Sequence, residues 1–575
     1  MGIPTYFRTL LEENNNIISV AQQQPCDEKK SIDFFFLDFN AIIYTVFANT
    51  TFSNEEGLLH NIILELKKLC DLVEPKKAMY IAVDGTAPKA KMVQQRSRRY
   101  KSLQLDYYKE SLIEEEVKKR KKFKDTWNPA NNICPGTEFM MRLNRKILSA
   151  MKQKVFNVPK VILNGVETPG EGEHKILPHI RKLQNTDDSI VIFSPDNDIL
   201  SLSLLTQKNN IFILRYMDIY SFNILAKSKN FNYHYDSKTN LYYLPKIYIS
   251  IDNIKSEFKT KFKQKDEINT IIDYNFLLSM VGNDFVPSLP YMKIRNGGLN
   301  NLIRIYTNVK KDGEYLIDKK TFKINQSFFI NIIKNLSNME NSEMKKLQSL
   351  ILHEKNQPIL KNDNIITTIE HSYMFNSYHP LYNIYENEFD KIDYNSSKHE
   401  WKGQYYQYFF NVDPKNFFQY NNLRTKVVKD YLESLVFTLK YYNTSCPSWT
   451  WYYKNRVAPL FSDVYTILNN HNFDINSITF TIGKPYTPFQ QLLYILPKES
   501  YHILPKEFLK IFQKYHNFYI DVTTMKVDAF SGLKYIYSEA ILPELEYSNF
   551  LSDIKKIESS SYFKNNVLCD KVYSV

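Results

Sequence analysis

Short apolar runs alternate with amphipathic stretches along the first half of the chain. Three of the runs, at 31–38, 77–84 and 188–196, are rich in β-forming residues, and each ends in an aspartate. Between them lie amphipathic stretches such as 56–73 and 138–155. Strands that alternate with helices in this way are typical of βαβ units around a parallel sheet. We therefore predict an α/β fold with a central, mostly parallel sheet flanked by helices.

The rest of the chain shows weaker patterns. The stretch 101–124, in which three glutamates precede a basic run, predicts a long helix with a solvated, charged face. The intervals 204–275 and 305–400 are rich in Asn and Lys and hold few sharp motifs, and aromatic residues become frequent again from about residue 400. The 575 residues exceed one compact domain, so two or more packed regions are expected.

Composition narrows the class of protein. A net charge of +12 fits a polyanionic partner such as nucleic acid, and the 42 Tyr and 38 Phe offer rings on which bases can stack. Five scattered cysteines without a CxxC pair argue against a zinc site and a disulfide framework, and favour a reducing compartment. Because the chain has neither a signal peptide nor an apolar run of membrane-spanning length, we expect a soluble, intracellular protein without a membrane partner.

Seven carboxylates fall at the ends of apolar elements. They are Asp38, Asp84, Glu171, Glu173, Asp196, Asp198 and Asp284. Taken alone, two of these motifs also have a purely structural explanation. Glutamates are favoured in the first turn of any helix, and a Gly-Asn-Asp loop can be a simple turn. Ligands of parallel sheets bind beyond the carboxyl ends of the strands, so we expect the acids to meet there. Such like charges require cations, and hard oxygen ligands without a Cys or His cluster indicate Mg²⁺ or Mn²⁺, as in two-ion phosphodiester hydrolysis. The chain lacks a P-loop motif, which disfavours an NTPase.

Several longer strings identify a family. In the first half they are MGIPTYFRTL, LDFNAIIY, VDGTAPKAKMVQQRSRR, TPGEGEHKI, SPDNDILSL and VGNDFVPSLP; in the second half they are WKGQYYQYFF, CPSWTWYYKNRVAPLFSD and PFQQLLYILPKES. Together they resemble the 5′→3′ exoribonucleases of the Xrn type, members of the PIN-like, flap-endonuclease-related nucleases. The resemblance runs from residue 1 to about 545 with divergent intervals. Flap endonucleases share the acidic scheme but lack the QQRSRR and CPSW strings.

The resemblance implies roles for particular residues. It makes the seven acids catalytic ligands of two divalent ions, and it assigns a pocket for the 5′ monophosphate of the substrate to Lys91, Gln95, Arg98 and Arg99. Helix geometry agrees, because positions 91, 95 and 98 share one helix face, and Arg forks with a Lys charge suit a terminal phosphate. Tyr44 replaces the histidine that stacks on a base in the family. Trp449 is the favoured second stacking residue, with Trp451 as the alternative.

The same resemblance implies an organisation and an activity. We expect a PIN-like nuclease core over 1–300, a divergent, mainly helical connecting region over 301–400, and a second conserved, largely helical region over 401–575 that braces the active site. The implied enzyme is a Mg²⁺-dependent (or Mn²⁺-dependent) 5′→3′ exoribonuclease that degrades single-stranded RNA with a 5′ monophosphate processively to nucleoside 5′-monophosphates. We expect a cytoplasmic monomer, with the nucleus as the alternative location, that lacks the extra domains of the larger family members.

Two other functions stay open at this point. A structure-specific DNA flap nuclease would need a helix-hairpin-helix element with a Gly-rich turn after Asp284, and the segment there gives only a weak, Pro-interrupted hint of one. A catalytically inactive RNA-binding scaffold is disfavoured because all seven acids are present.

Overall fold

An eight-stranded sheet lies at the centre of the computed structural model. The structure describes residues 5–21, 31–111, 127–218, 221–223, 234–236, 241–243, 246–262, 266–355, 385–386, 391–470, 473–528, 530, 535–559 and 572–575. The strands are β1 Ile18–Val20, β2 Phe34–Asp38, β3 Ala78–Ala82, β4 Val161–Asn164, β5 Ile190–Phe193, β6 Ile211–Tyr216, β7 His234–Asp236, β8 Leu241–Tyr243, β9 Lys246–Ser250, β10 Tyr385–Glu386, β11 Val527–Asp528, β12 Glu539–Ala540 and β13 Val572–Ser574.

Helices cover the sheet and are the main regular elements in the described part of the second half. They are α1 Tyr6–Glu13, α2 Asn40–Asn49, α3 Glu55–Val73, α4 Lys89–Ser111, α5 Pro129–Asn132, α6 Glu138–Lys152, α7 Gly172–Lys182, α8 Asp198–Leu204, α9 Ile251–Phe262, α10 Glu267–Met280, α11 Gly298–Val309, α12 Gln326–Lys355, α13 Lys398–Phe410, α14 Phe417–Asn443, α15 Phe461–Leu468, α16 Pro488–Ile495, α17 Leu509–Lys514 and α18 Tyr547–Glu558. No described helix combines the length and the apolar character that crossing a bilayer requires.

The strand order of the large sheet is β1-β9-β6-β5-β2-β3-β4-β13. Its five central strands, from β6 to β4, run parallel; β9 and β13 pair with this group in antiparallel fashion, and β1 pairs antiparallel with β9. Parallel neighbours need crossover connections, which the helices between these strands provide. The predicted mostly parallel α/β sheet is therefore confirmed.

The two faces of the sheet belong to two hydrophobic cores because strand side chains alternate in direction. Phe35 and Leu37 face a core formed with α2, α3 and α6. Phe36, between them, faces a core that continues through α10 into the helices of the second half, including Leu435 of α14. Since one core spans both halves, the helical region packs directly on the sheet. The predicted boundaries at 300 and 400 stay predictions.

Helix α4 begins at Lys89, earlier than the charged helix predicted from about residue 101, and its described part ends at Ser111. The remainder of that prediction lies outside the described residues. The N–H of Met92 donates to the carbonyl of Pro88, so this proline occupies the helix start, where its missing N–H costs nothing.

One face of α4 packs against residues of the second half of the chain. The ammonium of Lys89 lies 3.2 Å from the ring centroid of Tyr494, and burial puts the pKa of this lysine well below its usual value. The Arg96 guanidinium donates to the carbonyls of Phe518 at 2.8 Å and Pro543 at 2.9 Å. It also stacks over the Phe518 ring at 3.6 Å. These two cations are structural and do not face the acids.

An Arg96→Met variant is expected to lower the apparent free energy of unfolding by about 2–4 kcal/mol. The change keeps apolar volume but leaves one buried and one partly buried carbonyl without their donor. Urea denaturation followed by circular dichroism measures it, with the exposed Arg304→Met as the matched control, for which a change within about 0.5 kcal/mol is expected. Equal stability of the two variants would contradict a structural role for Arg96.

Candidate active site

Three aspartates meet at the carboxyl edge of the parallel strands. Asp38 is the last residue of β2, Asp84 follows β3 by two positions, and Asp196 follows β5 by three. The Oγ of Ser194 donates to the Asp38 carboxylate at 2.9 Å, and the Asp196 N–H donates to the same Oγ at 3.2 Å. Because the strands are parallel and adjacent, their ends bring these acids together.

The N-terminus of α7 lies against this edge. Its first residue, Gly172, donates its N–H to Asp84 Oδ1 at 2.7 Å. A Cβ at position 172 would lie 2.5 Å from an oxygen of Asp38, so this close approach requires glycine. The helix start thereby places Glu171 and Glu173 beside the two strand-end aspartates.

The crowded carboxylates fit a divalent cation. Ligand oxygens of Asp38, Asp84 and Glu173 lie within 4.8 Å of one another, and a second group joins Glu171, Glu173 and His174. Burial, followed by neighbouring carboxylates, raises the pKa of Asp38 and Glu173 well above the usual range, and burial raises that of Asp84. Such carboxylates are costly to ionise together unless a cation joins them, and their hard oxygens match Mg²⁺ or Mn²⁺.

The remaining aspartates are in electrostatic contact with this group. Asp198 is the buried first residue of α8, and burial, with the nearby charge of Asp284, raises its pKa to about 6. Asp196 raises the pKa of both Asp38 and Asp198. All seven acids predicted from the sequence therefore lie in one neighbourhood.

The second face of α4 reaches the acids directly. Lys91 Nζ contacts a Glu171 oxygen and lies 2.9 Å from an Asp284 oxygen, and Arg98 lies 3.5 Å from Asp284. Although burial disfavours its charge, Asp284 and Glu171 hold the pKa of Lys91 well above its usual value. Gln94 also donates to Asp284. Lys91 is thus part of the acidic site as well as of the predicted phosphate pocket.

The other predicted substrate residues lie further along α4 and next to it. Gln95 accepts a hydrogen bond from Gln491 at 3.2 Å, and Arg99 donates to the Ala130 carbonyl at 3.0 Å. Tyr44 is 45% exposed. Burial of its hydroxyl end raises the pKa of Tyr44 to about 12, and the charges of Arg99 and Arg98 oppose this rise. The structure therefore brings Tyr44 to the basic face of α4.

The two tryptophans of the CPSWTW string differ in their surroundings. The Trp449 carbonyl accepts the N–H of Lys89 at 2.9 Å, which holds this partly exposed residue at the start of α4. Trp451 stacks on Phe437 with ring centroids 4.5 Å apart, and its Nε1 donates to Glu433 at 2.9 Å. Trp451 is a packing residue, so the geometry favours Trp449 as the stacking candidate.

Two residues that sequence reasoning missed also reach the site. The Tyr441 hydroxyl, from α14, donates to Glu171 at 3.0 Å, and its ring stacks on His174 with centroids 3.8 Å apart. Burial lowers the pKa of His174 to about 3, so its imidazole is neutral. His174 directly follows a predicted ligand, which is a usable signal. Tyr441 is distant in sequence, and only packing of the helical region on the sheet reveals it.

Comparisons with known proteins agree with this architecture. A family model described as the XRN 5′-3′ exonuclease N-terminus matches residues 1–217, and one described as the Xrn1 helical domain matches 264–378 and 382–566. The chain is 26% identical to 5′-3′ exoribonuclease 1 of Saccharomyces cerevisiae, over 88% of this chain and 40% of that protein. It is 27% identical to 5′-3′ exoribonuclease 1 of Homo sapiens, over 88% of this chain and 31% of that protein.

A relative from Drosophila melanogaster, 5′-3′ exoribonuclease 2 homolog, is 26% identical over 89% of this chain and 66% of its own length. The chain thus spans between about one third and two thirds of these relatives. The two family models together match most of the chain, the first on the sheet with its acidic edge and the second on the helical region that contacts it. With this sheet, this acidic edge and both matches, the protein belongs to the Xrn family of 5′-3′ exonucleases.

Proposed function

We propose that the protein is a divalent-metal-dependent 5′→3′ exoribonuclease that acts processively on single-stranded RNA with a 5′ monophosphate and releases nucleoside 5′-monophosphates. The observation that carries the proposal is the contact of Asp284 with both Lys91 and Arg98, at 2.9 and 3.5 Å. A terminal phosphate held by this basic face leaves the next phosphodiester about one nucleotide away, beside the acids. Cleavage one residue from the end follows from that spacing.

The acids would hold the metal. Asp38, Asp84 and Glu173 hold their ligand oxygens within 4.8 Å of one another and are the proposed ligands of one Mg²⁺ or Mn²⁺ ion. A second ion is assigned to the remaining acids, which are Glu171, Asp196, Asp198 and Asp284. When bound, such ions polarise phosphoryl oxygens and lower the pKa of water, which is the nucleophile of the proposed hydrolysis.

The other side chains bind and orient the RNA. Arg98 offers a planar fork and Lys91 a point charge for the terminal phosphate, with Gln95 and Arg99 completing the pocket. Tyr44, near Arg99, and Trp449, at the start of α4, would stack on bases. Each such stack contributes about 1–3 kcal/mol without regard to sequence, which suits a nuclease that advances along any RNA.

The test uses end-labelled single-stranded RNAs with 5′ monophosphate, hydroxyl or triphosphate ends, and a single-stranded and a flap DNA, each with Mg²⁺ or with EDTA. The expected result is mononucleotide release from the monophosphate RNA alone, with Mg²⁺ present. Equal decay of the three RNAs would refute the phosphate pocket, decay in EDTA would refute the metal mechanism, and a preference for the flap DNA would favour the flap nuclease.

Mg²⁺ is expected to raise the melting temperature of the protein by about 2–5 °C at saturation, because it binds only the folded carboxylate cluster and relieves its repulsion. Differential scanning fluorimetry at constant ionic strength measures the shift without RNA. Glu173→Gln should lose most of it, whereas Glu138→Gln, with a side chain 86% exposed, should keep it. An equal Mg²⁺ shift in both variants would remove Glu173 from the metal site.

A further inference from the structure

A small cleft opens next to the loop that carries Asp284. It is partly open to solvent, and its lining includes Thr5, Gly282, Lys293 and Arg295. Gly282 precedes Asp284 by two residues, which span at most about 7 Å of chain. The cleft therefore lies within about one nucleotide of Asp284. None of its lining residues belongs to the predicted 5′-phosphate pocket.

Two polar groups converge on the backbone of Gly282. This residue has φ of +100°, and a Cβ there would lie 2.5 Å from Ser288 Oγ and 3.0 Å from Lys293 Nζ. The absence of a side chain allows the hydroxyl and the ammonium to approach this point of the loop together. A larger residue at position 282 would displace both.

Two buried hydroxyls near the cleft have no hydrogen-bond partner among the described residues. Ser288 is 8% exposed. Within the part of the chain that the structure describes, neither its Oγ nor the buried Oγ1 of Thr5 has a hydrogen-bond partner. Buried polar groups are normally paired, because an unpaired one costs roughly 1–3 kcal/mol. Two unpaired hydroxyls beside one cleft indicate a ligand that accepts hydrogen bonds.

Two cations lie at the cleft, and one of them is a buried lysine. Burial, with the neighbouring charge of Arg295, lowers the pKa of Lys293 to about 8 although Glu539 opposes the shift. The Arg295 guanidinium lies 3.9 Å from the ring centroid of Tyr537. Lys101 of α4 donates to the Ser538 carbonyl at 2.5 Å, next to the cleft residue Tyr537. A bound anion would relieve the cost of the buried ammonium.

We propose that this cleft binds a phosphate group, with Lys293 and Arg295 as the charged partners and Ser288 and Thr5 as hydroxyl donors. An Arg fork, a Lys charge and hydroxyls are the side chains that typically contact phosphate. The group belongs either to the backbone of bound RNA, which rests on the proposed function, or to the released nucleoside monophosphate. In either case the site would hold a phosphate beside the loop that carries Asp284, on residues other than those of the predicted 5′-phosphate pocket.

The RNA arm measures binding in EDTA, where cleavage does not interfere. Fluorescence anisotropy with a 5′-monophosphorylated oligoribonucleotide compares the native protein with Lys293→Gln and with Lys311→Gln, an exposed lysine that serves as the matched control. The Lys293 variant is expected to bind about tenfold more weakly, with a salt slope smaller by about 0.7, and Lys293→Arg should retain most of the affinity. A single neutral methylphosphonate linkage at the contacted position should weaken the native protein but not Lys293→Gln.

The product arm titrates adenosine 5′-monophosphate and inorganic phosphate by calorimetry. A loss of affinity in Lys293→Gln and in Ser288→Ala, without a change in the RNA arm, would assign the cleft to the released nucleotide. If Lys293→Gln binds RNA, the monophosphate and phosphate as the native protein does, the inference is overturned. Failure of the native protein to bind any RNA would instead overturn the proposed function, and the calorimetric arm would still decide the cleft.

Discussion

An Asp84→Asn variant is expected to lose about three orders of magnitude in the rate of RNA hydrolysis, or about 4 kcal/mol of transition-state stabilisation, with little change in RNA affinity. The asparagine keeps the size of the side chain and an oxygen that accepts the Gly172 N–H, which lies 2.7 Å from the carboxylate. It removes only the negative charge that the cation needs. Single-turnover kinetics at saturating Mg²⁺, together with anisotropy in EDTA, separate chemistry from binding.

The matched control for this change is Asp187→Asn, which alters an exposed aspartate in the turn before β5 and should leave the rate unchanged. Circular dichroism checks that both variants are folded. A rate for Asp84→Asn within tenfold of the native protein would remove this residue from the catalytic group. Lost RNA binding together with lost structure would instead assign Asp84 to the fold, through its contact with the start of α7.

An Arg98→Gln variant is expected to reduce the preference for 5′-monophosphate over 5′-hydroxyl RNA by about 10–100-fold in kcat/KM. Hydrogen bonds from a charged donor to a phosphate contribute about 1.5–3 kcal/mol, and hydroxyl RNA offers no terminal phosphate to lose. The side chain is 37% exposed and pairs with Asp284 at 3.5 Å, while Lys91 still contacts Asp284 at 2.9 Å. The acidic group therefore keeps its closest cation in this variant.

Arg304→Gln, on the exposed side of α11, is the control for the loss of one positive charge. It lowers the net charge by the same amount as Arg98→Gln but does not lie on α4. It should leave the preference for the monophosphate end unchanged. An unchanged ratio for Arg98→Gln as well would contradict the phosphate pocket. Equal loss of activity on both kinds of RNA would assign Arg98 to the acidic group, through its partner Asp284.

Local patterns in the sequence were sufficient to predict the sheet and the acids at its edge. The β-rich runs that end in Asp38 and Asp84 became adjacent parallel strands, so the two carboxylates had to reach the same edge. Helical spacing likewise predicted a common face for Lys91 and Arg98, and both contact Asp284. Strand alternation and helix periodicity are properties of the backbone, which is why a single sequence reveals them.

Tertiary packing decided which side chains of these elements serve the site. In the basic run after Asp84, Arg96 turns to the carbonyls of the second half, whereas Lys91 turns to the acids. Trp451 stacks on Phe437, and Tyr441 donates a hydrogen bond to Glu171 from a helix that is distant in sequence. Periodicity assigns residues to faces, but which partner covers each face depends on contacts between distant segments. For that reason the sequence predicted the acids, and only the packed structure revealed how the helical region holds them.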